Sequence, residues 1–275
     1  MMRARVVTAL VGISFLLILI GFARPWQFSL FILVVTVGAL CEYFFIAFPD
    51  RRRERVLGIL LGLLVSLVVL TRVPAWPVGL LPRLPDPELF LAAVIVCTFS
   101  IYPFFGGGLE ERYKHLGWTL LGAFYIGFLF PHYVLVYHAP RGTEWVFFVL
   151  LVAAAGDTGG YFMGMALGRK KLYPDISPGK TVVGALGSVG ASVLVGVLGA
   201  MFFFSALSWL EALFLSLVLS LLGQAGDLFE SWFKRVFSVK DSGRLLPGHG
   251  GLLDRMDSLI FPAVFTSYYL RLLHS

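Results

Sequence analysis

The chain predicts an all-α polytopic integral membrane protein with about nine transmembrane helices. Three observations predict it. The chain is 58% hydrophobic and only 14% charged, whereas a soluble domain carries about a quarter charged residues. Apolar runs of about 20 residues recur along its length, enough to cross a hydrocarbon core of about 30 Å. Its basic residues are also segregated between alternate linkers. The expected spans are roughly 6–22, 26–48, 56–73, 88–105, 116–137, 145–168, 181–204, 209–229 and 258–273, each an apolar stretch bounded by charge, glycine or proline.

The elements can be justified in order. The run 6–22 follows Arg3 and Arg5 and could pass for a signal peptide. A second span follows almost at once, so the first reads as a retained helix. The second span contains Cys41 and Glu42, and the fourth contains Cys97. Both cysteines sit in apolar runs and are expected to be reduced packing residues. Arg51, Arg52 and Arg53 precede the third span and read as an orientation signal or a contact for lipid headgroups. The linker 74–87 is rich in proline, which disfavours a continued helix. The chain is accordingly expected to divide into N-terminal helices (1–75), middle helices (76–140) and a catalytic region (141–275). That last region carries two polar loops, 169–180 and 230–257.

Charge sets the orientation. Seventeen of the 22 Lys and Arg residues fall in one alternate set of linkers, and the other five are Arg24, Arg72, Arg83, Arg141 and Arg271. The positive-inside rule then puts the N-terminus in the cytoplasm and, with nine spans, the C-terminus outside. Both polar loops fall on the cytoplasmic side. The net charge of +6 is thereby a topology signal and gives no reason to expect nucleic acid.

The block 230–257 is the chemical outlier. Charges near lipid cost free energy unless paired, hydrated or bound to a ligand. Asp227 lies near the end of the eighth span, with Glu230 and Ser231 at i+3 and i+4 on the same helix face. Asp254 and Asp257 repeat the i, i+3 spacing at the start of the ninth. Either of these could simply cap that helix with Ser258, but capping does not account for Asp227 and Glu230. Four gathered carboxylates would repel one another without a cation. Mg²⁺ answers that need, because it takes oxygen ligands and shares them between one or two carboxylates and substrate phosphates.

Three further features flank this cluster. Asp157 sits within the sixth span, about 16 Å down at helical rise. It is either a group facing a hydrated cavity or cation, or a buried hydrogen-bonded acid. Gly160, Gly164 and Gly168 lie four apart and read as a close-packing strip. The stretch Ser177-Pro178-Gly179-Lys180-Thr181 invites comparison with a P-loop, but the required first glycine is Pro174 and no strand precedes it. Ser177, Lys180 and Thr181 at a helix start remain a general anion site, or else a topology signal with a cap. His249, flanked by Gly248, Gly250 and Gly251, is either a phosphate contact or loop scaffold. Glu42 and Glu211 are intramembrane acids with no matching cluster.

The stretch Ser231-x-Phe233-Lys234-Arg235, Lys240-Asp241-x-Gly243, Leu246-Pro247-x-His249-Gly250-Gly251-Leu252-x-Asp254-Arg255-Met256-Asp257 resembles the signature of the phosphatidate cytidylyltransferases, or CDP-diacylglycerol synthases, of bacterial type. Asp157-Thr158-Gly159-Gly160-Tyr161 and Ser177–Thr181 resemble the same family, with Gly160 where alanine is common. The resemblance covers residues 150–262 well and the N-terminal half only as a set of spans. It implies that phosphatidate and CTP give CDP-diacylglycerol and pyrophosphate in phospholipid biosynthesis. It also implies Mg²⁺, with a second metal ion compatible, in a multi-pass protein of the cytoplasmic membrane whose site faces the cytoplasm. Under it, Asp227, Asp254 and Asp257 are metal ligands, with Glu230 and Asp157 as further ligands or neighbours. Lys234 and Arg235 are catalytic cations. Lys180, Ser177, Thr181, Ser231, Lys240, Asp241, His249, Gly250, Gly251 and Arg255 contact substrates or their phosphates. Membrane lipids and a second copy of the chain are compatible partners.

Two rivals stand beside this reading. A CDP-alcohol phosphotransferase would need a D-G-x-x-A-R frame followed by G-x-x-x-D-x-x-x-D, and the aspartates here are spaced otherwise. A cation-coupled transporter fits intramembrane acids, but it needs polar sites near the midplane, and most of the charge here lies on one side.

Overall fold

The computed structural model describes residues 2–73, 86–204, 207–243 and 250–273. Ten α-helices dominate it: α1 (Met2–Phe22), α2 (Pro25–Ala47), α3 (Arg52–Leu70), α4 (Pro87–Ile101), α5 (Leu109–Gly122), α6 (His132–His138), α7 (Gly142–Leu167), α8 (Val182–Phe202), α9 (Trp209–Val236) and α10 (Leu253–Leu273). A 3₁₀ turn extends α4 through Tyr102–Phe104, and a π-helical turn, Ala123–Phe128, links α5 towards α6. The expected all-α membrane architecture is found. Among the described residues, six helical segments are long and apolar enough to cross a membrane: Pro25–Ala47, Pro87–Phe104, Leu109–His138, Gly142–Leu167, Val182–Phe202 and Trp209–Val236. Helix α1 adds a shorter apolar stretch, Val11–Phe22.

The chain forms two compact units, one of residues 1–139 with 241–253 and the other of 140–240 with 254–275. In the first, glycines let helices approach. A Cβ on Gly58 would overlap the Phe44 ring, one on Gly62 would meet Leu40, and one on Gly122 would overlap Tyr43. The π-helical turn brings Gly127 against the backbone of Gly62, where the Ser66 hydroxyl reaches the carbonyls of Gly62 at 2.8 Å and Gly127 at 2.7 Å. That hydroxyl thus links α3 to the widened turn. Arg51 is ion-paired to Glu54 (3.3 Å) and to Glu111, so at least this member of the arginine run has a protein partner.

In the second unit, α7 and α8 pack through their small residues. A Cβ on Gly159 would overlap Ala191, and Gly160 and Gly184 lie backbone to backbone. The Ser192 hydroxyl donates to the Val152 carbonyl at 2.9 Å. The glycine strip is therefore spent inside the chain, which accounts for it without a second copy. Residues 169–180, expected as an irregular loop, instead form a small antiparallel hairpin of β1 (Lys171–Tyr173) and β2 (Ser177–Thr181). Pro174 and Asp175 make its turn, as proline at the second turn position favours. Cys41 and Cys97 are free thiols.

Candidate active site

The site begins with how α8 starts. The Thr181 side chain caps α8 by accepting from the Gly184 N–H at 3.0 Å. Capping ends the hairpin and places Lys180 one residue before the cap. Its Nζ pairs with Asp227 Oδ2 on α9 at 2.6 Å. Ser231, one turn further along α9, reaches the other oxygen of Asp227 at 3.4 Å, as the i, i+4 spacing led us to expect.

These groups open on a cavity of about 500 Å³ whose walls include Asp157, Gly160, Lys180, Thr181, Ser188, Gln224 and Asp227. Gly156, Gly160, Gly164 and Gly184 also line it. Asp157 is exposed to the cavity, which removes the need for a buried hydrogen-bond partner. It lies within electrostatic reach of Asp227, and of Lys180 and Arg255 on the cationic side.

Helix α10 brings the second pair of aspartates. Gly226 on α9 has no room for a Cβ because the Asp257 carbonyl fills that space, and Gly223 meets Ser258 in the same way. Close approach sets Asp257 near Asp227. Asp257 precedes the apolar part of α10, and burial followed by the charge of Asp227 pushes its carboxyl up to about 7. Asp254 goes elsewhere. Lys234 Nζ lies 2.7 Å from Asp254 Oδ1 and 2.7 Å from Glu230 Oε2, and Glu230 is wholly buried. One ammonium thus bridges two carboxylates and leaves one negative charge in excess. An unpaired buried charge is costly, and Lys234 offsets one of the two.

Oxygen-only donors in mutual electrostatic reach suit a hard divalent cation, and Asp227, Asp257 and Asp157 form such a set. As the side chains stand, no three carboxylate, histidine or cysteine groups among the described residues converge closely enough to hold one ion. Lys180 holds the position of a cation against Asp227, and Lys234 holds that position against Glu230 and Asp254. The oxygen-only chemistry of Asp157, Asp227 and Asp257 fits a divalent ion, with Lys180 beside Asp227.

The remaining expected residues separate by position. Arg235 is exposed and its Nε donates to the Ile176 carbonyl at 3.1 Å, tying α9 to the turn of the hairpin. Ser177 lies in β2, half-buried. Lys240 is exposed, as is Arg255 in the first turn of α10. Asp241, Gly250 and Gly251 belong to the first unit, with exposed Asp241 beside buried Ser242. His249 lies outside the described residues.

Sequence reasoning overlooked Gln224 and Ser188 on the cavity wall. Gln224 could have been found as the residue one turn before Asp227. It also left Glu42 and Glu211 without roles. Glu211 closes a capping box with Ser208 at the start of α9 and accepts from the Tyr269 hydroxyl at 3.2 Å.

This fold and site define a membrane-embedded protein with a carboxylate- and lysine-walled cavity. The model of the cytidylyltransferase family matches residues 3–273. The chain is 33% identical to phosphatidate cytidylyltransferase of Synechocystis sp. over 98% of its own length and 96% of that protein. It is 38% identical to the Bacillus subtilis protein of the same name over 58% of this chain and 60% of that one. The corresponding figures for the Staphylococcus saprophyticus protein are 45%, 52% and 54%. The matched stretch thus spans little more than half the length of the last two relatives. The chain belongs to the cytidylyltransferase family.

Proposed function

We propose that this chain condenses phosphatidate with CTP to give CDP-diacylglycerol and pyrophosphate, in the cytoplasmic membrane and with its site facing the cytoplasm. The observation that carries the reading is the cavity walled by Asp157, Asp227 and Lys180 in a chain matched end to end by the family model. The names of the relatives supply the two substrates.

In the proposed reaction a phosphatidate phosphate oxygen attacks the α-phosphorus of CTP in line. The bond from that phosphorus to the bridging oxygen breaks, and its electron pair leaves with pyrophosphate. A phosphate monoester is already ionised, so no strong general base is needed. The protein's contribution is positioning and charge neutralisation. Lys180 would exchange Asp227 for a substrate phosphate, and Arg255 would add positive charge near Asp157. Asp227, Asp257 and Asp157 would hold Mg²⁺, with the Glu230–Lys234–Asp254 triad buttressing α9 against α10. Bound Mg²⁺ would supply neutralisation of the phosphate oxygens and orientation of the triphosphate.

The test is pyrophosphate release by purified protein in detergent–phosphatidate micelles with CTP and Mg²⁺, repeated with ATP in place of CTP and with EDTA. Release that requires phosphatidate, CTP and metal together is expected. Folded, lipid-loaded protein that releases none would overturn the reading. Nucleotide-independent ion flux in proteoliposomes would then favour the transporter.

A further inference from the structure

The chain contains an acid that neither the cavity nor the ion pairs use. Glu42 lies on α2 within an apolar helix and is only 6% exposed. A carboxylate so placed needs donors. They come from the far end of the sequence. Ser242 donates its hydroxyl to Glu42 Oε2 at 2.8 Å, Leu253 donates its backbone N–H to the same oxygen at 2.9 Å, and Leu252 donates its N–H to Oε1 at 2.9 Å.

The donors identify what the carboxylate does. Leu253 is the first residue of α10, so Glu42 satisfies the first N–H of a helix that begins 211 residues later in the chain. A negative charge there also meets the positive end of the helix dipole. Asp254, the next residue, lies in the first turn of α10. Two glycines of the signature are shaped to the same group. A Cβ on Gly243 would overlap Glu42 Oε1, and one on Gly251 would overlap Ser242 Oγ and meet Glu42 Oε2. In the described parts of the loop, 241–243 and 250–253, the small residues make room for the carboxylate.

We infer that Glu42 is a positioning residue for the reaction, a carboxylate anchor that holds Ser242, Leu252 and the start of α10 in register. The inference rests on the proposed cytidylyl transfer for its kinetic consequence, while the anchoring itself stands apart from that reading. A carboxylate is acceptor-only and can satisfy three donors at once. Glutamine keeps the volume but turns an N–H₂ towards at least one of them.

The test combines Glu42→Gln and Gly243→Ala, measured singly and together in the full-length protein. Hydrogen exchange of the segment 250–253 is followed beside steady-state kinetics. We expect each variant to remain folded, with faster exchange in that segment. We expect kcat/KM for CTP to fall by about 10- to 100-fold, the loss typical of removing a group that orients a ligand-bearing residue. The double variant should be little worse than either single one, because both disturb one contact. Glu42→Ala with Gly243→Ala tests the same point by making room for the added methyl, and it should exceed Gly243→Ala alone in thermal stability. Wild-type kinetics in Glu42→Gln would overturn the positioning role. So would an activity loss that follows only the folded fraction, with KM and exchange unchanged. A wild-type protein that releases no pyrophosphate would overturn the proposed reaction, and the exchange data would then judge the anchor by itself.

Discussion

At the level of single residues, the site is a partition of carboxylates between cations. Asp227 is held by Lys180, and Glu230 and Asp254 are held by Lys234. The two cases predict different phenotypes. Asp227 is one-third exposed on the cavity wall, so Asp227→Asn should fold normally and lose more than about 100-fold in pyrophosphate release, since loss of a direct ligand should exceed the about 10- to 100-fold typical of groups that only orient one. Wild-type turnover would remove Asp227 from the proposed metal set. Lys234 instead neutralises a wholly buried glutamate. Lys234→Met should destabilise the protein by roughly 3 kcal/mol, because it strands buried charge, measured as a lowered unfolding midpoint in detergent. Glu230→Gln in the same background should recover part of that loss. The spacing of Asp227, Glu230 and Ser231 was legible in the sequence, since helix periodicity puts i, i+3 and i+4 on one face. Which cation each acid takes was not, because Lys180 and Asp254 reach α9 from other elements.

Glycines decide the packing between elements. Gly226 admits the Asp257 carbonyl and Gly223 admits Ser258, so α9 and α10 meet backbone to backbone at the aspartates. A side chain at Gly226 has nowhere to go without shifting α10. Gly226→Val should therefore cost about 1–3 kcal/mol from overpacking. It should also depress activity beyond the loss of folded protein, read as a fall in kcat for the fraction that remains monodisperse in detergent. The hairpin 171–181 was the element least legible in the sequence. The proline and glycines there signalled a loop, and only the pairing of Lys171 with Thr181 and Tyr173 with Ser177 makes it a ladder. The helix start at Thr181 was legible, because a threonine before an apolar run is a local cap signal.

For the whole molecule, the segregation of Lys and Arg predicts orientation, which labelling can measure. In a background with Cys41 and Cys97 replaced, Asp175→Cys should react with an impermeant maleimide from the cytoplasmic side. Arg141→Cys should react only from the opposite side. Reaction of both from one face would overturn the assigned topology. The sequence by itself determined the membrane class, the helical periodicity, the acidic outliers and the family signature. All of these depend on composition or on residues close together in the chain, where local physics is enough. Only the tertiary structure decided that the glycine strip of α7 is consumed by α8, that Lys234 serves two acids, and that Glu42 reaches residues 242, 252 and 253. The deciding contacts join residues from 20 to 211 positions apart. Beyond one or two helical turns, sequence carries no distance information. A buried charge announces that it needs a partner, but the fold alone chooses which one.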